Sequence, residues 1–138
     1  MPDPIKTVIG FDFGKRWIGV AVGQTLTRQA RPLQALKNGD WERIGRLIED
    51  WQPQRLVVGL PLNMKGEVQE MSVRAERFSR QLEGRYGIQS ELIDERLTTR
   101  EAWQIAIDSA DRKSKMEIDS LSAILITESW LRDCAANS

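Results

Sequence analysis

The stretch IGFDFGKRWIGVAVG, residues 9–23, decides the fold. It is apolar and glycine-rich apart from one carboxylate, Asp12, and two cations, Lys15 and Arg16. Residues 5–13 (IKTVIGFDF) have the β-branched and aromatic content of a strand, and residues 17–23 (WIGVAVG) read as a second. Only Gly14, Lys15 and Arg16 join them, so the two strands must run antiparallel. Alternation along the first strand puts Val8, Gly10 and Asp12 on one face and Ile9, Phe11 and Phe13 on the other. An acid buried on such a face is costly unless it is paired, hydrogen-bonded or metal-bound. The alternative is a strand that stops at Phe11 and leaves Asp12 as a turn acid beside Gly14.

Outward from this hairpin, residues 30–36 (ARPLQAL) predict a third, edge strand, where Pro32 is best tolerated. Asp40 is placed to cap a helix over DWERIGRLIEDW, whose Trp41, Ile44, Leu47, Ile48 and Trp51 form one apolar stripe that Pro53 ends. RLVVGL, 55–60, reads as a buried parallel strand, and PLNMKGEVQ as a loop. A helix over 69–83 carries Met71, Ala75, Phe78 and Leu82 at helical spacing and closes at Gly84 or Gly87. QSELIDE, 89–95, is the last strand. Thr98 and Glu101 make a capping box for a helix to about 108, a polar loop follows over 109–115, and an apolar helix spans 117–132. The order β-β-β-α-β-α-β-α-α predicts an α/β fold, a mixed sheet with helices on both faces, in a single domain over 1–138.

Composition narrows the chemistry. The chain has no histidine, which removes Ser-His-Asp and Cys-His catalysis and every histidine metal site. Twenty basic and twenty acidic residues cancel, so no global basic field marks a nucleic-acid binder and any such surface must be local. One cysteine, Cys134, excludes an internal disulfide. No apolar run approaches a membrane span, and MPDPIKTV lacks a leader pattern, so the expected setting is the cytoplasm, away from any membrane.

Three acids stand out of pattern. Asp12 is the first. Glu95 closes SELIDE, sharing a strand face with Glu91 and Ile93, while Leu92 and Asp94 take the other face. Asp119 stacks along a helix with Ser122, Ala123, Ile126 and Trp130. Each has an ordinary explanation alone: a turn, a solvated strand end, an N-cap. Together they could converge at one sheet edge and hold Mg²⁺ or Mn²⁺, the ions that hard oxygen ligands select. Two such ions, roughly 3.5–4 Å apart, support phosphodiester hydrolysis without a protein general base. Lys15 and Arg16 follow Asp12, and Arg96 and Arg100 follow Glu95, so each pair is a candidate phosphate contact. Arg112, Lys113 and Lys115 precede Asp119 in the same way.

GFDFGKRWIGVAVG, VVGLPLNMKG, IDERLTT and KSKMEIDSLSAILITESWL resemble, in order and spacing, the YqgF family of small bacterial nucleases, also described as Holliday junction resolvases. The resemblance runs over nearly the whole chain. It implies the RNase H-like fold, with a five-stranded mixed sheet in the order 3-2-1-4-5 and strand 2 antiparallel. It puts the family's acids on Asp12, Glu95 and Asp119 as metal ligands, and implies a cytoplasmic, metal-dependent nuclease that processes the 5′ end of pre-16S ribosomal RNA. Two features depart from the pattern. Lys65 stands where an acid is expected, and no fourth carboxylate is assigned, Asp108 and Asp111 being candidates.

Two further functions are weighed. Resolution of a branched DNA junction competes with trimming of structured RNA; it requires two symmetric cuts and hence a two-fold dimer, and the sequence leaves monomer or homodimer open. The opening hairpin also resembles the first phosphate loop of sugar kinases, actin and the Hsp70 chaperones, which would make the chain a catalytically weak nucleotide- or nucleic-acid-binding module. Trp17 and Trp103 are expected either in the core or stacked on bases, and Trp130 either in the core or at an interface.

Overall fold

The computed structural model of the chain describes residues 5–95 and 120–136. Arg96, Arg100, Trp103, Asp108, Asp111, the three cations at 112–115 and Asp119 lie outside the described residues, as does the helix expected from Thr98. The described elements are β1 (Thr7–Phe13), β2 (Trp17–Gln24), β3 (Gln29–Lys37), α1 (Trp41–Trp51), β4 (Arg55–Leu60), α2 (Glu70–Tyr86), β5 (Ser90–Asp94) and α3 (Leu121–Ala136). The strands form one sheet in the order β3-β2-β1-β4-β5. β2 is antiparallel to β1 and β3, and β4 is parallel to both β1 and β5. The mixed sheet, its order and the reversed second strand are thus as the sequence led us to expect.

The sheet has two unlike faces. On one, Ile9 and Phe11 of β1 pack with Val20, Val58, Ile44 and Ile48 of α1, and Ala75, Phe78 and Leu82 of α2. On the other, Val8, Val57 and Ile93 pack against Ile126, Trp130 and Leu131 of α3. The alternation in β1 and β5 produces this division directly. Trp130 is therefore core, whereas Trp17 is 60% exposed at the start of β2 and is not a core residue.

Small residues let α3 lie close on its face. A Cβ on Gly10 would collide with the Thr127 hydroxyl, and one on Gly23 would meet Thr127 Cγ2 at 2.8 Å. Gly10 and Gly23 of the opening stretch are thus explained by helix–sheet packing. Gly14 belongs to the hairpin itself, since a Cβ there would strike the Trp17 carbonyl.

Some boundaries differ from those expected. β3 runs over Gln29–Lys37, longer than the short strand expected, and it is the sheet edge, with Pro32 paired to Ala21. α2 extends to Tyr86 and ends at Gly87, which takes the left-handed conformation at φ 66°, so Gly84 is interior. β5 ends at Asp94. The loop after β4 contains a small bridge between Leu62 and Val68. Asp40 caps α1 as expected, accepting from the Arg43 N–H at 3.2 Å.

Candidate active site

β1, β4 and β5 are parallel, so their carboxyl ends share one edge of the sheet. Open α/β sheets bind ligands at this edge. Asp12 is the penultimate residue of β1, on the α3 face, and Glu95 follows the end of β5. One strand, β4, separates the two. Their side chains meet across it because Gly59 of β4 has none. A Cβ on Gly59 would sit 2.6 Å from Glu95 Oε1 and 2.5 Å from Ile126 Cδ1.

The two carboxyls are half-buried and hydrogen-bonded to each other. Burial raises the Asp12 pKa, while the hydrogen bonds from Glu95 and Ser122 oppose the rise. Glu95 is pushed up to about 8, first by burial, then by the charge and hydrogen bond of Asp12, and by the charge of Asp94. These directions agree on one arrangement. Asp12 is the carboxylate, Glu95 keeps a proton and donates it to Asp12, and the Ser122 hydroxyl donates to Asp12 as well. Two acids this close cannot both ionise without a compensating cation.

Ser122 comes from the first turn of α3, and a neighbouring residue sets that helix in place. Ser120 Oγ accepts from the Val20 N–H at 3.1 Å and donates to the Leu33 carbonyl at 2.8 Å. The β2–β3 register shifts between Ile18 and Val20, and the serine satisfies the backbone groups at that irregularity. Ser120 is fully buried.

Of the residues singled out in the sequence, the structure brings together Asp12 and Glu95. Lys15 and Arg16 are exposed in the β1–β2 hairpin beyond Asp12. Among the described residues no group of three or more acidic, histidine or cysteine side chains forms a metal cage. Lys65 is exposed in the loop after β4, where its N–H donates to Asn63 Oδ1 at 3.0 Å. Reading the sequence missed Gly59 and Ser120. It noted Ser122 only as a neighbour of Asp119 on a helix face. The D-S-L-S run at 119–122 was the available signal for both serines.

Comparison with known proteins shows the family and the fold. Residues 6–133 match the family model described as RuvX, Holliday junction resolvase. A protein of Azotobacter vinelandii is 49% identical over 134 residues, covering 93% of this chain and 94% of its own length. One from Pseudomonas aeruginosa is 48% identical over 136 residues, covering 94% of each. Both carry the name "Putative pre-16S rRNA nuclease". Among solved structures, Thermus thermophilus RuvC in complex with a Holliday junction substrate superposes with a TM-score of 0.59 at 15% identity, covering 94% of this chain and 96% of that one. The Fowlpox virus resolvase in its junction complex gives 0.58 at 10% identity, covering 93% and 98%. At such identities the likeness is one of fold.

Proposed function

The chain belongs to the RuvX Holliday junction resolvase family, and from that footing we propose that it is a divalent-metal-dependent nuclease acting on structured nucleic acid. The observation that carries the reading is the contact between Asp12 and Glu95 at the carboxyl edge of the sheet. Two acids in contact at a half-buried site are unfavourable as structure alone, and they make sense as ligands that a cation draws together. Asp119 is the proposed third acid; it immediately precedes Ser120 in the sequence.

The donor set fits the ion. Carboxylates with no histidine in the chain suit Mg²⁺ or Mn²⁺ rather than zinc or copper. Asp12, Glu95 and Asp119 would hold it. Such a cation supplies the charge that makes water acidic and stabilises both oxygens of an in-line displacement, and two ions would share this work. The remaining contributions come from the chain itself. Glu95 would have to give up its proton to hold a cation, so metal affinity would rise with pH. Ser122 fixes the direction of the Asp12 carboxylate. Gly59 leaves room for Glu95 to reach it. Lys15, Arg16, Arg96 and Arg100 are assigned to substrate phosphates.

The favoured substrate is the 5′ end of pre-16S ribosomal RNA, in accord with the name carried by relatives at nearly half identity over nearly the full chain. We read residues 1–138 as one catalytic domain acting in the cytoplasm. Junction resolution is the second reading, favoured by the description of the matching family model. The test is cleavage of precursor RNA, duplex DNA and a four-way junction, with and without Mn²⁺, by wild type and Asp12→Asn. Mn²⁺-dependent cutting of the RNA that Asp12→Asn lacks supports the reading. Symmetric cutting of the junction alone transfers it to resolution. Equal cutting by both proteins removes Asp12 from the site, and ATP binding without any cleavage would favour the binding-module alternative.

A further inference from the structure

A cleft of ≈ 380 Å³ opens on the α1–α2 face of the sheet, lined in part by Phe13 at the end of β1. Phe13, Trp41 and Phe78 wall it, with Phe78 centred 5.1 Å from Phe13 and 5.6 Å from Trp41. Lys15, Arg74 and Arg77, all exposed, supply its charge. Among the described residues no carboxylate lines it. In a chain whose charges cancel, this is a local concentration of one sign. Arg74 meets Glu70 at 3.6 Å, but both side chains are well exposed, and such a pair holds the arginine weakly. Among the described residues Arg77 and Lys15 form no ion pair.

The cleft is well framed. Asn38 Nδ2 donates to the Gly14 carbonyl at 2.7 Å, and the Asn38 N–H donates to the Arg16 carbonyl at 2.8 Å. The hairpin that carries Lys15 is thereby tied to the turn before α1. Its position relative to the acid pair follows from strand alternation. Asp12 and Phe13 are consecutive and point to opposite faces, so the acid pair and the cleft stand back to back at one end of β1. The hairpin bearing Arg16 and the exposed Trp17 runs between them.

We propose that this cleft is a subsite for the unpaired strand that flanks the phosphodiester at the acid pair. Arg74, Arg77 and Lys15 hold its phosphates, and a base packs on the half-buried Phe13, since Phe78 is buried behind it and the Arg85 guanidinium already lies 4.1 Å over the Trp41 ring. Cations with aromatic side chains are how sequence-tolerant sites hold single strands. The proposal rests on the nuclease reading above and deepens it. RNA and DNA share the chemistry recognised, so both are tested.

The experiment measures fluorescence anisotropy of labelled 12-nucleotide RNA and DNA single strands, in EDTA so that no cleavage intervenes. Wild type is compared with the Arg74→Glu/Arg77→Glu double variant, with Arg77→Lys, and with Arg80→Glu on the same helix outside the cleft. Thermal melting verifies that each is folded. The double variant should bind at least about tenfold more weakly, with the slope of log K against log salt reduced by ~1.4 for two lost single-strand contacts. Arg77→Lys and Arg80→Glu should stay near wild type. A preference for one strand type in wild type that the double variant abolishes assigns the subsite to RNA or to DNA. Wild-type affinity in the folded double variant overturns the proposal, as does an equal loss in Arg80→Glu. Binding of ATP through the same arginines, with no strand binding, replaces the subsite by a mononucleotide pocket and also overturns it. Cleavage in Mn²⁺ is scored separately. A cutting enzyme whose strand binding ignores the cleft loses only this proposal, and a strand-binding chain that cuts nothing loses only the nuclease reading.

Discussion

Glu95 donates its carboxyl proton to the Asp12 carboxylate across Gly59, a residue on the strand between them. That proton removes one of the pair's two charges, which a bound cation would otherwise have to offset. If both acids are ligands, Asp12→Asn and Glu95→Gln should each lower cleavage by more than the roughly 10–100-fold that residues supporting a metal site typically cost. Neither should unfold the chain, because each replaces a half-buried acid by a neutral isostere. Single-turnover cleavage in Mn²⁺ with circular dichroism of the same samples checks both halves. Full activity in either variant removes that acid from the site.

The raised Glu95 pKa makes metal-free stability depend on pH. The folded chain keeps a proton that the unfolded chain, with its ordinary value of 4.5, has already released, and it keeps that proton up to about 8. Where the folded state binds more protons, stability falls as pH rises. The contribution is fully present below about pH 4.5 and is lost progressively through pH 8. Melting in EDTA at pH 5, 6, 7 and 8 should show wild type losing ground to Glu95→Gln across that window. Added Mg²⁺ should recover most at the alkaline end, where the carboxylates are free to bind it. Parallel melting curves for the two proteins would refute the assignment.

Gly59→Ala should damage the site more than the structure. The new methyl would lie 2.5 Å from Ile126 Cδ1 and 2.6 Å from Glu95 Oε1, so both must move. Each atom ends a flexible side chain that can turn aside, so the stability cost should fall at or below the low end of the ~1–3 kcal/mol of core overpacking. Since one of the displaced groups is Glu95 itself, Mn²⁺ affinity should fall with stability. Isothermal titration on folded protein separates the two effects. An unchanged affinity would mean that Glu95 does not need the space over β4.

Asp12 was legible in the sequence because strand parity is a short-range rule: it breaks a face that is readable from neighbours two residues away, whereas Glu95, on a face with Glu91 and Ile93, stood out only beside the other acids and the family resemblance. The sheet order came from the family resemblance. Gly59 was not legible, because its use depends on Glu95, a residue from the next strand, leaning over it. Arg74 and Arg77 were not singled out in the sequence for the same reason. Their relation to Phe13 and Trp41 exists only after α2 has packed on the sheet. Trp17 illustrates the reverse failure: its type suggested burial as readily as exposure, and its place at the hairpin leaves it exposed.

Ser122→Ala removes the hydroxyl that donates to Asp12. The helix keeps its packing, so melting should hardly move. Asp12 loses a bond that favours its charged form, and its pKa should rise further. Metal affinity should drop by roughly 10–100-fold, the usual effect of a partner that orients a ligand. Ser122→Thr, which retains the hydroxyl, should restore most of it. Equal affinities across wild type, Ala and Thr would show that the contact has no bearing on metal binding.

Ser120→Ala should separate the anchoring of α3 from the chemistry it serves. The substitution leaves the Val20 N–H and the Leu33 carbonyl without their hydroxyl partner at a fully buried position. Each unsatisfied group costs about 1–3 kcal/mol. The loss falls where β2 and β3 change register, so the sheet cannot recover these bonds without rebuilding the bulge. The start of α3 would loosen, and Ser122 would lose its aim at Asp12. Denaturant unfolding should therefore show a loss of stability, and cleavage well below the melting point should fall as well. Ser122→Ala in the same background should then add little to the activity loss, because the contact it removes is already weakened. Full additivity in that double-mutant cycle would show that the two serines act independently, and that Ser120 holds the sheet without positioning the site.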